Sequence, residues 1–363
     1  MDISRRGLLG AAGATVARRA RADNALPSLK AEAARAGLLF GTDSDVAISA
    51  APPVYGDLLA QQCNLFAPSL SWSRVEPTRG QASVEDPNVP LARARGMQLT
   101  GAHLLWHLRS PDWLPALDDA ALRAAVDRHI VQMASRYAGQ AWSWNVVNEA
   151  IDTRNGDANG IRTDLYSSRL GSDWMVRAFR TARSVDARAL LLYNDAQFEM
   201  ADALSSARRD ALLRLLDRLQ RAGAPIDGVG TQSHLRLDGT PFDPGAFRRF
   251  LHEIASRKLV VVISEMDVFD YATGPDIASR DAAVAARYRA FLEVALNEPA
   301  VKAVVLWGLS DRYTWITPDR PGPYARPDRL PARPLPFDDQ YRPKPAFSAV
   351  LDALKGAPRR LPA

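Results

Sequence analysis

From Leu38 onward, short apolar runs alternate with longer stretches whose apolar residues recur at helical spacing. Eight runs stand out. They begin near Leu38-Leu39-Phe40-Gly41, Asn64-Leu65-Phe66, Met97-Gln98-Leu99-Thr100, Trp142-Ser143-Trp144-Asn145-Val146-Val147, Leu190-Leu191-Leu192-Tyr193, Gly228-Val229-Gly230-Thr231, Leu259-Val260-Val261-Val262-Ile263 and Ala303-Val304-Val305-Leu306-Trp307. Runs this short fit strands buried on both faces. Between them, Asp119 to Arg136, Ser206 to Ala222 and Arg280 to Leu296 read as helices. Repeated strand-then-helix order implies parallel strands joined by right-handed crossovers. Eight such units over about 330 residues predict an α/β fold of a single domain, a closed (β/α)8 TIM barrel. The rival is an open doubly wound sheet, which would carry a phosphate-cradling glycine turn after its first strand. Gly41-Thr42-Asp43-Ser44-Asp45 contains neither G-x-G-x-x-G nor Gly-Lys-Ser/Thr, so no nucleotide cofactor is expected.

Composition agrees with this picture. The 363 residues are 47% hydrophobic and 24% charged, ordinary globular usage that excludes disorder, collagen and a pure coiled coil. The net charge of +5 is concentrated in residues 1–22, where Arg5, Arg6, Arg18, Arg19 and Arg21 face a single Asp2. The remainder is nearly neutral and lacks the basic stripe of a nucleic-acid binder. No apolar segment reaches the roughly 18 residues that span a bilayer. Neither nucleic acid nor membrane is an expected partner, and the chain is expected to act as a monomer. Cys63 is alone, so no internal disulfide forms.

Ser4-Arg5-Arg6-Gly7-Leu8-Leu9 opens a small-residue apolar stretch that ends near Ala20-Arg21-Ala22, which has the layout of a twin-arginine export signal. Residues 1–22 are therefore set aside as a signal segment, with a periplasmic or secreted destination, and 23–363 are assigned to the catalytic barrel. Nine of the 25 prolines lie between Pro318 and Pro345. That density rules out a regular helix or strand. Too little chain follows for another domain, so 318–345 is read as a long loop after the eighth strand, returning to a closing helix from Pro345 to Leu354.

In a barrel of this kind the C-terminal strand ends form the active-site face. Two glutamates stand there: Glu149 closes the fourth run and Glu265 the seventh. An acid at the end of a buried strand is expensive unless it is used. A pair of carboxyl groups across a cleft suits glycoside hydrolysis, one protonating the leaving oxygen and the other attacking the anomeric carbon or activating water. Trp106, Trp307 and Trp315, after the third and eighth runs, offer indole faces to sugar rings. Trp142 and Trp144 read equally well as core.

These segments resemble glycoside hydrolase family 10, the family of retaining endo-β-1,4-xylanases. Trp144-Asn145-Val146-Val147-Asn148-Glu149-Ala150 is similar to that family's acid/base segment, and Ile263-Ser264-Glu265-Met266-Asp267-Val268 to its nucleophile segment. Gly228 to Leu235 and Trp307-Gly308-Leu309-Ser310-Asp311 with Trp315 match two more segments in family order, and the similarity runs from about residue 37 to 355. The resemblance implies Glu149 as general acid/base and Glu265 as nucleophile. It also implies Asn148 on the sugar 2-hydroxyl, Gln232 beside the acid/base, and His234 holding Glu265 while oriented by Asp267. Trp106, His107, Trp307 and Trp315 would bind or support substrate. Neither a metal nor a cofactor is implied.

Departures from the family pattern fall in the sugar-binding segments. Glu-Asn-x-Met-Lys-Trp is replaced by Ala67-Pro68-Ser69-Leu70-Ser71-Trp72, so Pro68 and Ser71 stand where the family has Asn and Lys. In Gly101-Ala102-His103-Leu104-Leu105-Trp106-His107-Leu108-Arg109, Ala102 replaces a His and Arg109 a Gln. Ala196 replaces the Tyr of Asn-Asp-Tyr. The same retaining chemistry on another, acidic polysaccharide is one alternative, and a catalytically silent carbohydrate-binding barrel is another. A metal site through His103 and His107, four apart, is the remaining rival, without an H-E-x-x-H to support it.

Overall fold

The computed structural model describes residues 26–44, 48–318 and 324–360. Residues 1–22, read as an export signal, lie outside the described residues. The strands are β1 (Leu39–Asp43), β2 (Leu65–Ala67), β3 (Gln98–Leu99), β4 (Ala102–Trp106), β5 (Ser143–Asn148), β6 (Leu190–Asp195), β7 (Gly228–Thr231), β8 (His234–Arg236), β9 (Val260–Phe269) and β10 (Val301–Leu306). Their order is β3-β2-β1-β10-β9-β7-β6-β5-β4, with β8 beside β9. Every strand pairing is parallel.

Ten segments make eight barrel strands because two are broken. β3 and β4 are halves of one strand, interrupted at Gly101 (φ 71°), and β7 and β8 are halves of another, interrupted at Ser233 (φ 58°). The first break lets one strand serve both edges: β3 pairs with β2, and β4 with β5. The ring closes where Trp142 N–H donates to the Leu99 carbonyl at 2.7 Å. This is the predicted (β/α)8 barrel.

Side chains alternate through the wall as the period of two requires. Leu190, Leu192, Val260, Val262, Ala303 and Val305 fill the barrel interior, together with Trp142. Leu191, Tyr193, Val261, Ile263 and Val304 face the helices, where Trp144 also packs. Both tryptophans are core. The alternation slips at the ends of two strands. Pairing shifts on β5 between Asn145 and Val147, and on β10 against β9 between Val304 and Leu306. Within the second slip, the consecutive residues Ser264 and Glu265 both reach Asn194 inside the barrel, which an unbroken strand would forbid.

The helix Asp119–Arg136 has the predicted limits. Ala203–Arg221 and Ile277–Ala295 each start three residues before the predicted Ser206 and Arg280. In both, an aspartate caps the first turn: Asp202 accepts from Ser205 N–H at 2.7 Å, and Asp276 from Ser279 N–H at 2.8 Å. Apart from single bridges at Phe337, the described part of the proline-rich loop is irregular. It is tied down by buried charges: Lys344 Nζ lies 2.8 Å from Asp311 Oδ2, and Arg326 reaches Asp270, which Arg280 holds at 2.6 Å. The closing helix runs Pro345–Gly356. Among the described residues, no helix is long and apolar enough to cross a membrane.

Candidate active site

Glu149 directly follows β5 with φ 57°, a left-handed conformation costing a non-glycine residue about 1–3 kcal/mol. Neighbours hold it there. Its N–H donates to the Asn194 carbonyl at 2.9 Å, and Arg162 Nε donates to its carbonyl at 3.0 Å. The carboxyl then receives Trp106 Nε1–H on Oε2 and Gln232 Nε2–H on Oε1, each at 2.9 Å. Burial pushes this carboxyl above the ordinary glutamate range and the charge of Asp195 pushes further; the two donors only partly oppose them.

Glu265, in β9, has the opposite setting. Burial would raise it as well, but donors and positive charge win, and His103 and His234 bring its carboxyl down to about 2. His103 Nε2 lies 3.2 Å from Oε1 and His234 Nε2 3.4 Å from Oε2. Asn194 Nδ2–H adds a third donor to Oε1 at 2.8 Å, its amide oriented by the Ser264 hydroxyl, which donates to its Oδ1 at 2.6 Å. Because the carboxylate only accepts, each imidazole presents a proton to it.

His234 uses its other nitrogen on Asp267 Oδ1 at 2.8 Å, and Trp315 Nε1–H donates to Asp267 Oδ2 at 2.8 Å. Burial pulls the His234 imidazole down in pKa, but Asp267 and Glu265 more than reverse this and hold it well above the usual value. Its ring bridges the two acids, Nδ1 toward Asp267 and Nε2 toward Glu265. The break at Ser233 allows this arrangement, because it turns both Gln232 and His234 into the cleft.

Amides connect the two carboxyls. Asn148 Oδ1 accepts from Asn194 Nδ2 at 2.8 Å and from Gln232 Nε2 at 3.4 Å. Asn148 Nδ2 is left as a buried donor with no acceptor among the described residues. Asp195 is fixed by the Tyr193 hydroxyl at 2.5 Å and by a buried ion pair with Arg208.

The cleft above these groups has a volume of about 550 Å³. Of the residues singled out from sequence, Glu149, Glu265, Gln232, His234, Trp106, Trp307 and Trp315 line it, with Asn148 and Asp267 directly behind. His107 does not line the cleft. Its Nδ1 is buried without a partner, and burial together with Arg162 pushes its imidazole below the usual pKa. The imidazole that enters is His103, considered from sequence only as a metal ligand. It is committed to Glu265, and no group of three His, Cys, Asp or Glu side chains among the described residues is placed to hold a metal ion.

Sequence reasoning missed Asn194, Asp195, Ser264 and Arg208. For Asn194 and Asp195 a signal existed, since they close the apolar run Leu190–Tyr193 just as Glu149 and Glu265 close theirs. Where family residues are missing, the cleft wall carries the short side chains of Ala67, Pro68, Ser69, Ser71 and Ala196.

The sequence model of glycosyl hydrolase family 10 matches residues 28–353. The chain belongs to glycosyl hydrolase family 10. It is therefore a glycoside hydrolase, and a polysaccharide is its substrate class. Among curated relatives, endo-1,4-beta-xylanase B of Thermotoga neapolitana is 27% identical over 83% of this chain and 83% of its own length. Endo-1,4-beta-xylanase A of Cellvibrio japonicus is 34% identical over 75% of this chain and 46% of its own. Among solved family 10 structures, native xylanase 10B from Thermotoga maritima superposes with a TM-score of 0.80 at 26% identity, covering 91% of this chain and 98% of that one.

Proposed function

We propose that this family 10 enzyme is a retaining endo-1,4-β-xylanase, with Glu149 as general acid/base and Glu265 as nucleophile. The observation that carries the reading is the opposite setting of the two carboxyls, Glu149 buried between two neutral donors and Glu265 between two imidazoles and an amide. Burial and Asp195 push the Glu149 carboxyl above the ordinary glutamate range, while His103 and His234 bring Glu265 down to about 2 and Asn194 donates to it as well. A pair of carboxyls with pKa values pushed apart is how acid and base roles are assigned. Family membership and the xylanase relatives support the substrate.

In the first step Glu265 attacks the anomeric carbon as Glu149 gives its proton to the departing oxygen. The free Asn148 Nδ2–H is placed for a hydroxyl of the sugar bound beside Glu265; an open buried donor costs about 1–3 kcal/mol, recovered when substrate accepts it. Once the ester forms, the negative charge on Glu265 is gone. The pKa of Glu149 falls, and it takes a proton from the incoming water. Trp106, Trp307 and Trp315 supply faces for the chain. Residues 1–22 are read as an export signal, which N-terminal sequencing of the mature secreted protein tests.

The test is turnover of unsubstituted xylan by wild type, Glu265→Ala and Glu149→Ala, with the anomeric form of the first product followed by NMR. Xylan cleavage giving β-product first, abolished in Glu265→Ala, is the expected result. For Glu149→Ala, aryl glycosides with good leaving groups retain the first step and azide restores turnover. Initial α-product, or xylan turnover surviving Glu265→Ala, overturns the reading.

A further inference from the structure

Four arginines border the cleft: Arg109, Arg162, Arg208 and Arg236. Three are neutralised by carboxylates of the protein. Arg162 pairs with Asp152 at 3.2 Å, Arg236 with Asp202 at 2.7 Å, and Arg208 with buried Asp195. Arg109 meets no carboxylate among the described residues. It is exposed, at the end of the short turn His107–Arg109 that follows β4. Its guanidinium lies 5.5 Å from the ring centroid of Trp106, the indole that donates to Glu149. One cleft cation is therefore left uncompensated beside the reacting centre.

We propose that Arg109 binds the carboxylate of a uronic acid unit carried by the polysaccharide next to the bond that is cleaved. The inference rests on the xylanase reading and deepens it by naming the substituted, acidic form of the polymer as the preferred substrate. The planar guanidinium fork matches a carboxylate through two parallel hydrogen bonds, and a cation–π contact with the Trp106 ring favours its place at the cleft. A neutral pentose offers hydroxyls, which need no cation. The acids of the reacting centre do not compete for Arg109: Glu265 is held by His103, His234 and Asn194, Asp195 by Arg208, and Glu149 by Trp106 and Gln232. Room for a branch is provided where Pro68, Ser69 and Ser71 leave the wall short and uncharged.

The test compares glucuronoxylan with the same polymer after its carboxyl groups have been reduced to alcohols, using wild type, Arg109→Gln and Arg109→Lys. The readout is the ratio of kcat/KM on the acidic polymer to that on the reduced one, which is insensitive to any general loss in a variant. The expected wild-type ratio is about three- to tenfold, the range for a charge-assisted bond at a partly solvated site. It falls to near one in Arg109→Gln, stays above one in Arg109→Lys, and shrinks for wild type in about 0.5 M salt as the exposed charge is screened. An equal ratio in wild type and Arg109→Gln, or a wild-type ratio of one or below, overturns the proposal. Absence of wild-type turnover on both polymers is a different result: it overturns the xylanase reading, and this inference with it.

Discussion

Trp106 gives its indole hydrogen to Oε2 of Glu149 at 2.9 Å, so the ring that lines the cleft also holds this carboxyl. That bond favours the ionised carboxyl and partly opposes the upward push of burial. Trp106→Phe keeps an aromatic face and removes the donor. The Glu149 pKa is then expected to rise further, moving the alkaline limb of kcat/KM to higher pH. Losing orientation at a charge-bearing group is expected to lower kcat about tenfold, the low end of what such a bond contributes. A pH-rate profile checks both, and a limb that moves down contradicts the assignment.

Asp195 acts on the same carboxyl with the opposite sign. Its negative charge makes ionised Glu149 costlier, so Asp195→Asn lowers the Glu149 pKa and shifts the alkaline limb to lower pH. Arg208, freed of its partner, pushes in the same direction. Comparing the two pH profiles alongside that of Trp106→Phe tests the pair of signs together.

On the acidic side, the proposed nucleophile Glu265 would act ionised, and its carboxyl sits at about 2 because His103 and His234 outweigh burial. In His234→Asn one donor and one charge vanish, the pKa rises, and an acidic limb is expected to enter the pH 3–5 region, within about a unit of the free carboxylate value. The same substitution changes stability. His234 has a raised folded pKa, so its contribution is complete below its unfolded value and fades as pH rises through the folded one. The Tm gap between wild type and His234→Asn should therefore narrow in alkaline buffer.

Lys344 anchors the proline-rich loop to the barrel through buried Asp311 at 2.8 Å. Removing one member of a buried ion pair strands the other, at a cost of about 3–5 kcal/mol. Lys344→Met is expected to lower stability by that order in denaturant unfolding. Lys344→Met combined with Asp311→Leu should recover part of the loss, since Asp281, also 3.3 Å from the Lys344 ammonium, keeps Arg333, while the Leu335 N–H loses its acceptor on Asp311.

Much of the barrel was legible because strands buried on both faces write continuous apolar runs. The two breaks were not, since left-handed Ser233 and the switch of partners at Gly101 depend on which strands lie alongside. Helix starts were misread by three residues for a simpler reason: Asp202 and Asp276 precede the first periodic apolar residue and were not counted as caps. Glu149 and Glu265 were visible as acids ending apolar runs. Which of His103 and His107 enters the cleft was not, because the break at Gly101 sets the direction of the side chains after it. Arg208 gave no signal. It reaches Asp195 from a helix that bears other arginines, and only the closed barrel distinguishes it from them.

The pairing irregularities in β5 and around β9 bear on how this enzyme can be altered. The shift between Val304 and Leu306 falls where the apolar part of β9 gives way to Ser264 and Glu265, and it resets which way those residues point. On β9 the extra residue sets Ser264 and Glu265 together against Val305, so deleting Ser264 would make the pairing regular and take away the hydroxyl that orients Asn194. Pro68, Ser71, Arg109 and Ala196 lie past their strand ends, beyond that constraint. Grafts between relatives should therefore keep every residue through Trp106, Glu149, Asp195 and Asp267 and exchange only the loops leading away from them, so that substrate preference is recast in a reaction centre whose spacing is untouched.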